Sequence, residues 1–439
     1  MMTLDARHPQ VCQRWHTLEH DHTPQLWRTY FQSRLNWREV AFPFYEDDEE
    51  RKTLPQIPTV VNWKQECRQR FDSGIEWRKH SLQVSGTSLE STQTWTVNPE
   101  LASPSLEEDL LSEGNTNYLR TVIANAKPYD RIEVSPGRYV GNLAIQIPIE
   151  IVGLGEVGSI RIVGCVAVMV QHVRLFNLSV ESGGGSEAGN QPHAVLKIFD
   201  PDGAERVAAQ GASNCVTRND SGAERGRSHK KEEISTVQVE ECTIRGTVEV
   251  RQCNVIFRRN EVRGSICVTG LKESQHNFSP ALPEAREYPV MHPLRCNTVL
   301  ERNYIHQAPE ALITLETHCN ASLKWNVINR GGDAGIRMSQ GSKALIDSNS
   351  IMGNTGPGIL VRDWAFPGIH RNRIMNGQHY GILMYQNGAT ILKRSRYGIK
   401  TKYWSNKVGF VDVFFVVCDS RRYILTKTFF LFSIALCFS

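Results

Sequence analysis

Charge of one sign is what this chain most lacks: 50 Lys and Arg stand against 46 Asp and Glu, a formal net charge of +4 over 439 residues. Such a balance carries no sign of a nucleic-acid partner or of attachment to an anionic membrane. Long apolar runs are missing too. The most apolar stretch, residues 428–439, falls well short of the roughly 20 residues a membrane helix needs, so a membrane partner is not expected. The opening residues, MMTLDARHPQ, hold no apolar core of a secretory signal. The 11 cysteines are scattered, with no CxxC pair and no tight Cys/His cluster. That pattern argues for reduced thiols in the cytoplasm or nucleus and against a zinc site. The glycines at 155–158 and 183–185 are not followed by Lys-Ser/Thr, so they are not phosphate loops.

What is present is a period. Asn303, Asn326, Asn349 and Asn372 recur every 23 residues, each followed at plus two by Ile305, Ile328, Ile351 and Ile374. Gly335-Ile336, Gly358-Ile359 and Gly381-Ile382 form a second column, and Leu323, Ile346, Ile369 and Leu392 a third. A fixed period of this size marks a solenoid. Each period holds three short runs rich in β-branched and aliphatic residues, separated by Gly, Asn and Asp, which reads as strands and turns. The spacing predicts a mainly β fold, one coil of a right-handed parallel β-helix per period, with the isoleucines stacked inside. The Asn column is expected to occupy a left-handed turn and to ladder its amides from coil to coil. Gly335, Gly358 and Gly381 are expected to supply φ > 0 at a second corner.

The remainder divides around that block. Residues 1–37 read as helices, with Val11, Trp15 and Leu18 on one face and Leu26, Trp27, Tyr30 and Phe31 following. Residues 38–117 read as a linker: an acidic run at 46–50, one helix near 62–71, and a flexible Ser/Thr/Glu-rich stretch from 81. Residues 118–394 read as the β-helix, opened by a helix that covers the first coil. Polar loop insertions are expected at 182–233 and 271–297. The run at 225–231, RGRSHKK, reads as a solvated loop cluster. The next Asn is due at 395, where Ser395 stands, so residues 395–439 read as an apolar tail foreign to the repeat.

VCQRWHTLEHDHTPQLWR resembles the last helices of an F-box: Val11, Cys12, Arg14, Trp15, Asp21, Pro24, Leu26 and Trp27 match its pattern. NWKQECRQRF is similar to the Trp-containing helix that often follows. The entry LRTVIANAKPYDRIEVSPGRYVGNLAIQIPIEIVGLG and the Asn/Gly coils resemble the F-box only protein 10/11-like family, in which an F-box precedes a right-handed β-helix of sugar-hydrolase-type repeats. The resemblance implies a substrate-recognition subunit of a Skp1-cullin-F-box ubiquitin ligase. It would have a Skp1-type adaptor and cullin as partners, an unknown protein substrate, and adaptor contacts at Val11, Trp15, Leu26 and Trp27. The Leu-Pro helix that opens an F-box does not precede Val11, so the box reads as partial and adaptor docking by this chain as compromised.

A β-helix can also be a carbohydrate-active enzyme, which needs clustered carboxylates, or a scaffold without ligase links. Asp333, Asp347 and Asp363 are the candidates, and none falls on another at the 23-residue period. The expectation is therefore an adaptor or receptor with no catalytic, metal or cofactor site. His370 and His379 read as turn or surface residues, and the Asn and Gly columns as structural.

Overall fold

The three apolar runs of each period become three short strands, and one coil is Asn320–Lys324, Val327–Gly331 and Ile336–Met338. The next coil lies 23 residues on and pairs with it in parallel register on all three sides: Leu323 with Ile346, Ile328 with Ile351, Ile336 with Ile359. All six of these side chains are fully buried. The repeated columns are thus the axial core, each stacked aliphatic contributing about 2 kcal/mol of burial. This computed structural model describes residues 24–37, 63–85, 92–98, 114–183, 194–199, 236–270, 297–384, 391–393, 415–419 and 422–426.

Among those residues the strands form three sheets of 13, 9 and 9 strands, here named A, B and C in the order a coil visits them. One continuous hydrophobic core runs from Val97 and Leu119 to Ile382 and Met384. A helix at Gly114–Asn125 buries Leu119, Val122 and Ile123 over the first coil. Sheet A ends on two strands, Phe415–Asp419 and Arg422–Thr426, which pair antiparallel.

Four expectations need correction. Thr94–Val97, placed in the flexible linker, is the first strand of sheet A, paired with Arg131–Val134. Its Trp95 ring packs on the core and donates through Nε1 to Asp130 (2.8 Å). Ala194–Phe199, placed inside the first loop insertion, is a strand of sheet C joining 166–168 to 247–251. It completes a coil between two polar segments, which hid its apolar pattern. Asn297, placed at the end of the second insertion, already begins a strand of sheet A, Asn297–Glu301. The helix near 62–71 runs from Trp63 to Ser85.

The helices at Pro24–Gln32 (α1) and Trp63–Ser85 (α2) pack together. Rings of Phe31, Trp37, Trp63 and Phe71 meet between them, Phe31 and Trp63 at 5.0 Å and Trp37 and Phe71 at 5.2 Å. The Cys67 thiol points at the Trp27 carbonyl (3.7 Å), and burial pushes that thiol up to about 11. The turn that follows α1 is also tied to the solenoid, where the Val157 amide donates to the Leu35 carbonyl.

Candidate functional site

α2 lies along the outer face of sheet A, and the face it buries is largely polar, with Cys67 and Trp77 as its buried apolar members. Glu66, Arg70 and Ser73 are at most 5% exposed, whereas Phe71 and Ile75 on the other side are 37% and 50% exposed. The buried groups pair with the sheet. Arg70 holds Glu66 and Glu241, each at 2.8 Å. Glu241 also takes Arg259 (2.5 Å), and Glu66 takes Arg302. Ser73 donates to Glu240, which also accepts from Arg174 (2.9 Å). Arg174 reaches Glu150 (2.6 Å), which Arg78 of α2 also holds (3.2 Å). Burial alone would raise the Glu240 carboxyl; Arg174 and Arg259, with the Ser73 hydroxyl, outweigh it and draw it down to about 2. The alternation continues along the sheet, where Glu240, Arg258, Glu301, Lys324, Asp347 and His370 are successive register partners.

Of the residues expected to contact an adaptor, Leu26 is 45% exposed on α1. Trp27 is half-buried, its ring edge-on to Tyr30 at 6.3 Å. Val11 and Trp15 lie outside the described residues.

The asparagines stand at the corner between sheets A and B. The Asn303 amide donates to Asn326 Oδ1 (2.9 Å), Asn326 to Asn349 (2.9 Å) and Asn349 to Asn372 (3.0 Å). Each Oδ1 also accepts the preceding coil's backbone N–H, as Asn326 does from Asn303 (3.0 Å). Each Nδ2 reaches back to a strand-end carbonyl, Leu300 in the case of Asn326 (2.8 Å). Sequence reasoning missed a further rung, Asn260, which donates to Asn303 (3.0 Å); the insertion at 271–296 breaks its spacing. The left-handed turn residue is not the Asn but its predecessor: Arg302, Trp325, Ser348 and Arg371 have φ of 57°, 55°, 56° and 50°. The Asn itself does not have positive φ, and its amide runs along the axis to the next coil.

Gly335, Gly358 and Gly381 do not have positive φ either. For Gly335 and Gly358 the role is clearance. A Cβ on Gly335 would sit 2.6 Å from the Gly358 carbonyl and 2.7 Å from Ile351, and one on Gly358 would meet Ile374 and the Gly381 carbonyl.

The candidate carboxylates stay apart, each with its own arginine: Asp333 with Arg337, Asp363 with Arg362 (3.3 Å), Asp347 with Arg371 (2.8 Å). Burial would raise the Asp347 carboxyl, but the Arg371 and Ser348 hydrogen bonds lower it. Asp347 lies between Lys324 and His370 in register. Among the described residues no group of three or more His, Cys, Asp or Glu could hold a metal ion, and no helix is long and apolar enough to cross a membrane.

Fold and columns together define a right-handed parallel β-helix with a helical unit clamped to one face. Residues 290–415 match the family model for a right handed beta helix region. The chain is similar to F-box only protein 10 of Homo sapiens and of Mus musculus, 27% identical to each over 175 residues, 38% of this chain. The match spans 16% of the length of these relatives. The resemblance to the F-box only protein 10 family is thus met both in the β-helix region and in sequence. Solved structures with a similar chain path include the enzymatically active domain of tailspike protein 2 of bacteriophage CBA120. It is 10% identical, with 69% of this chain and 44% of that one covered at a TM-score of 0.33. A Geobacillus virus E2 protein is 9% identical, with 76% and 64% covered at a TM-score of 0.36.

Proposed function

We propose that this chain is a substrate-recognition, protein-binding subunit of a Skp1-cullin-F-box ubiquitin ligase, acting in the cytoplasm or nucleus without a catalytic site of its own. The observation that carries it is the likeness to F-box only protein 10, in a chain whose F-box-like α1 is held on the β-helix by α2. The solenoid offers strand faces whose outward side chains can vary without disturbing the core, which suits recognition of an unknown protein substrate. α1 presents Leu26 outward, while Trp27 is used in packing; the adaptor contact therefore falls to Leu26 with Val11 and Trp15. The separately paired Asp333, Asp347 and Asp363 favour a receptor over a polysaccharide-cleaving enzyme. The test is co-purification of the full chain with a Skp1-type adaptor and a cullin. Capture is expected, and Leu26→Asp is expected to reduce it with the thermal midpoint unchanged. Failure of the chain to capture either protein overturns the reading.

A further inference from the structure

Sheet B carries an arginine surface that the recognition reading does not yet use. Arg245 and Arg263 are register partners on adjacent strands, Thr243–Arg245 and Glu261–Arg263. Cross-strand like charges are destabilising and are normally separated or neutralised. Here neutralisation is incomplete. Among the described residues Glu181 is the acid that serves both Arg245 (3.5 Å) and Arg161 (2.6 Å), and both arginines remain more than half exposed. Arg263 is exposed and makes no ion pair among the described residues. Arg138 adds a further exposed arginine as the register partner of Arg161. The other acid on these strands, Glu261, faces His306 (3.4 Å).

Glycines stand beside these arginines. Gly246 and Gly264 follow Arg245 and Arg263 directly, at φ of 141° and 146°, and Gly164 stands at the same corner at 150°. A Cβ on Gly164 would lie 2.5 Å from the Gly141 carbonyl and one on Gly264 2.2 Å from the Gly246 carbonyl, so backbone approaches backbone at these two positions, while Gly246 faces the Val195 side chain. Thr247 and Ser265 border the far side of the corner, their hydroxyls 3.3 Å apart. Exposed guanidinium groups beside glycine positions let an extended chain approach while its carboxylates meet the arginines.

We infer that sheet B around Arg161, Arg245 and Arg263 binds an acidic, extended peptide segment of a partner protein. The argument is charge complementarity, and the inference deepens the proposed recognition role by giving its substrate an acidic docking segment. The test is fluorescence anisotropy of the full chain with a labelled glutamate-rich decapeptide, against glutamine-rich and lysine-rich decapeptides. Binding of the glutamate peptide alone is expected, weakening as salt rises. Arg245→Glu with Arg263→Glu should weaken it by about tenfold or more, because arginine–carboxylate contacts become repulsive. The milder Arg245→Gln with Arg263→Gln should weaken it less, at an unchanged thermal midpoint. Arg251→Glu, on sheet C and 65% exposed, should leave it unchanged. Equal binding of the glutamine peptide, or equal weakening by Arg251→Glu, overturns the inference. Adaptor capture by the double variants, measured in parallel, separates failure of this surface from failure of the ligase reading.

Discussion

Asn326 is a single residue on which three layers of the solenoid depend. Its amide links the coils of Asn303 and Asn349 and satisfies the Leu300 carbonyl, all within the buried interior. Asn326→Ala removes these bonds and leaves buried donors and acceptors without partners, at a cost of about 3 kcal/mol. Chemical denaturation should show that loss as a lower midpoint with the same slope. Gly358→Ala is expected to cost about 2 kcal/mol by the same measurement, since overpacking against Ile374 and the Gly381 carbonyl forces a backbone shift. The asparagine and glycine columns were legible because each position admits one residue type. The left-handed positions were not. Arg302, Trp325, Ser348 and Arg371 share a dihedral angle and no chemistry, so nothing in their identities marks them.

At the scale of elements, α2 is where sequence pattern and structure part furthest. Hydrophobic periodicity looks for an apolar face turned inward, and α2 turns Glu66, Arg70 and Ser73 inward beside only Cys67 and Trp77. Its partners Glu150, Arg174, Glu240 and Glu241 are far away in sequence, so no local spacing could reveal them. Arg70→Leu leaves Glu66 to Arg302 and Glu241 to Arg259, removes the arginine that joins them, and should cost about 2 kcal/mol, read as faster amide hydrogen exchange along α2. Glu240 gives docking a pH dependence. Its folded-state value of about 2 lies below the ordinary 4.5. Above about pH 4.5 the stabilisation is complete. As pH falls from there toward 2 the unfolded chain takes up the proton first, and about 3 kcal/mol is lost across that window. Thermal midpoints should therefore drop steeply between pH 4.5 and 2, and Glu240→Gln, less stable at neutral pH, should show a shallower drop.

For the whole molecule, the 23-residue period gave away the architecture, because a solenoid writes its fold as repetition. The coils at 94–97 and 194–199 escaped because their neighbours in sequence lie outside the repeat. Nearest-neighbour stacking makes a further outcome testable. Deleting residues 326–348 joins Trp325 to Asn349 and restores every column. That variant should fold with an unchanged far-UV circular dichroism shape. Removing half as many residues, 326–336, sets core positions outward and should abolish cooperative unfolding.

The clamp on sheet A sets a limit on that freedom. From Glu66 to Arg78, α2 advances about 18 Å at the usual helical rise. From Arg302 back to Glu150, through the coils of Arg259, Glu241 and Arg174, the solenoid advances about 19 Å, four steps of one inter-strand spacing. The two elements are graduated alike, so α2 acts as a gauge stick that fits one tally of turns. Between Glu150 and Arg302 the tally is fixed, since a coil added or lost would leave a charge facing the wrong mark. Past Arg302 no stick is laid among the described residues, and it is there that a lineage could lengthen or shorten the tower.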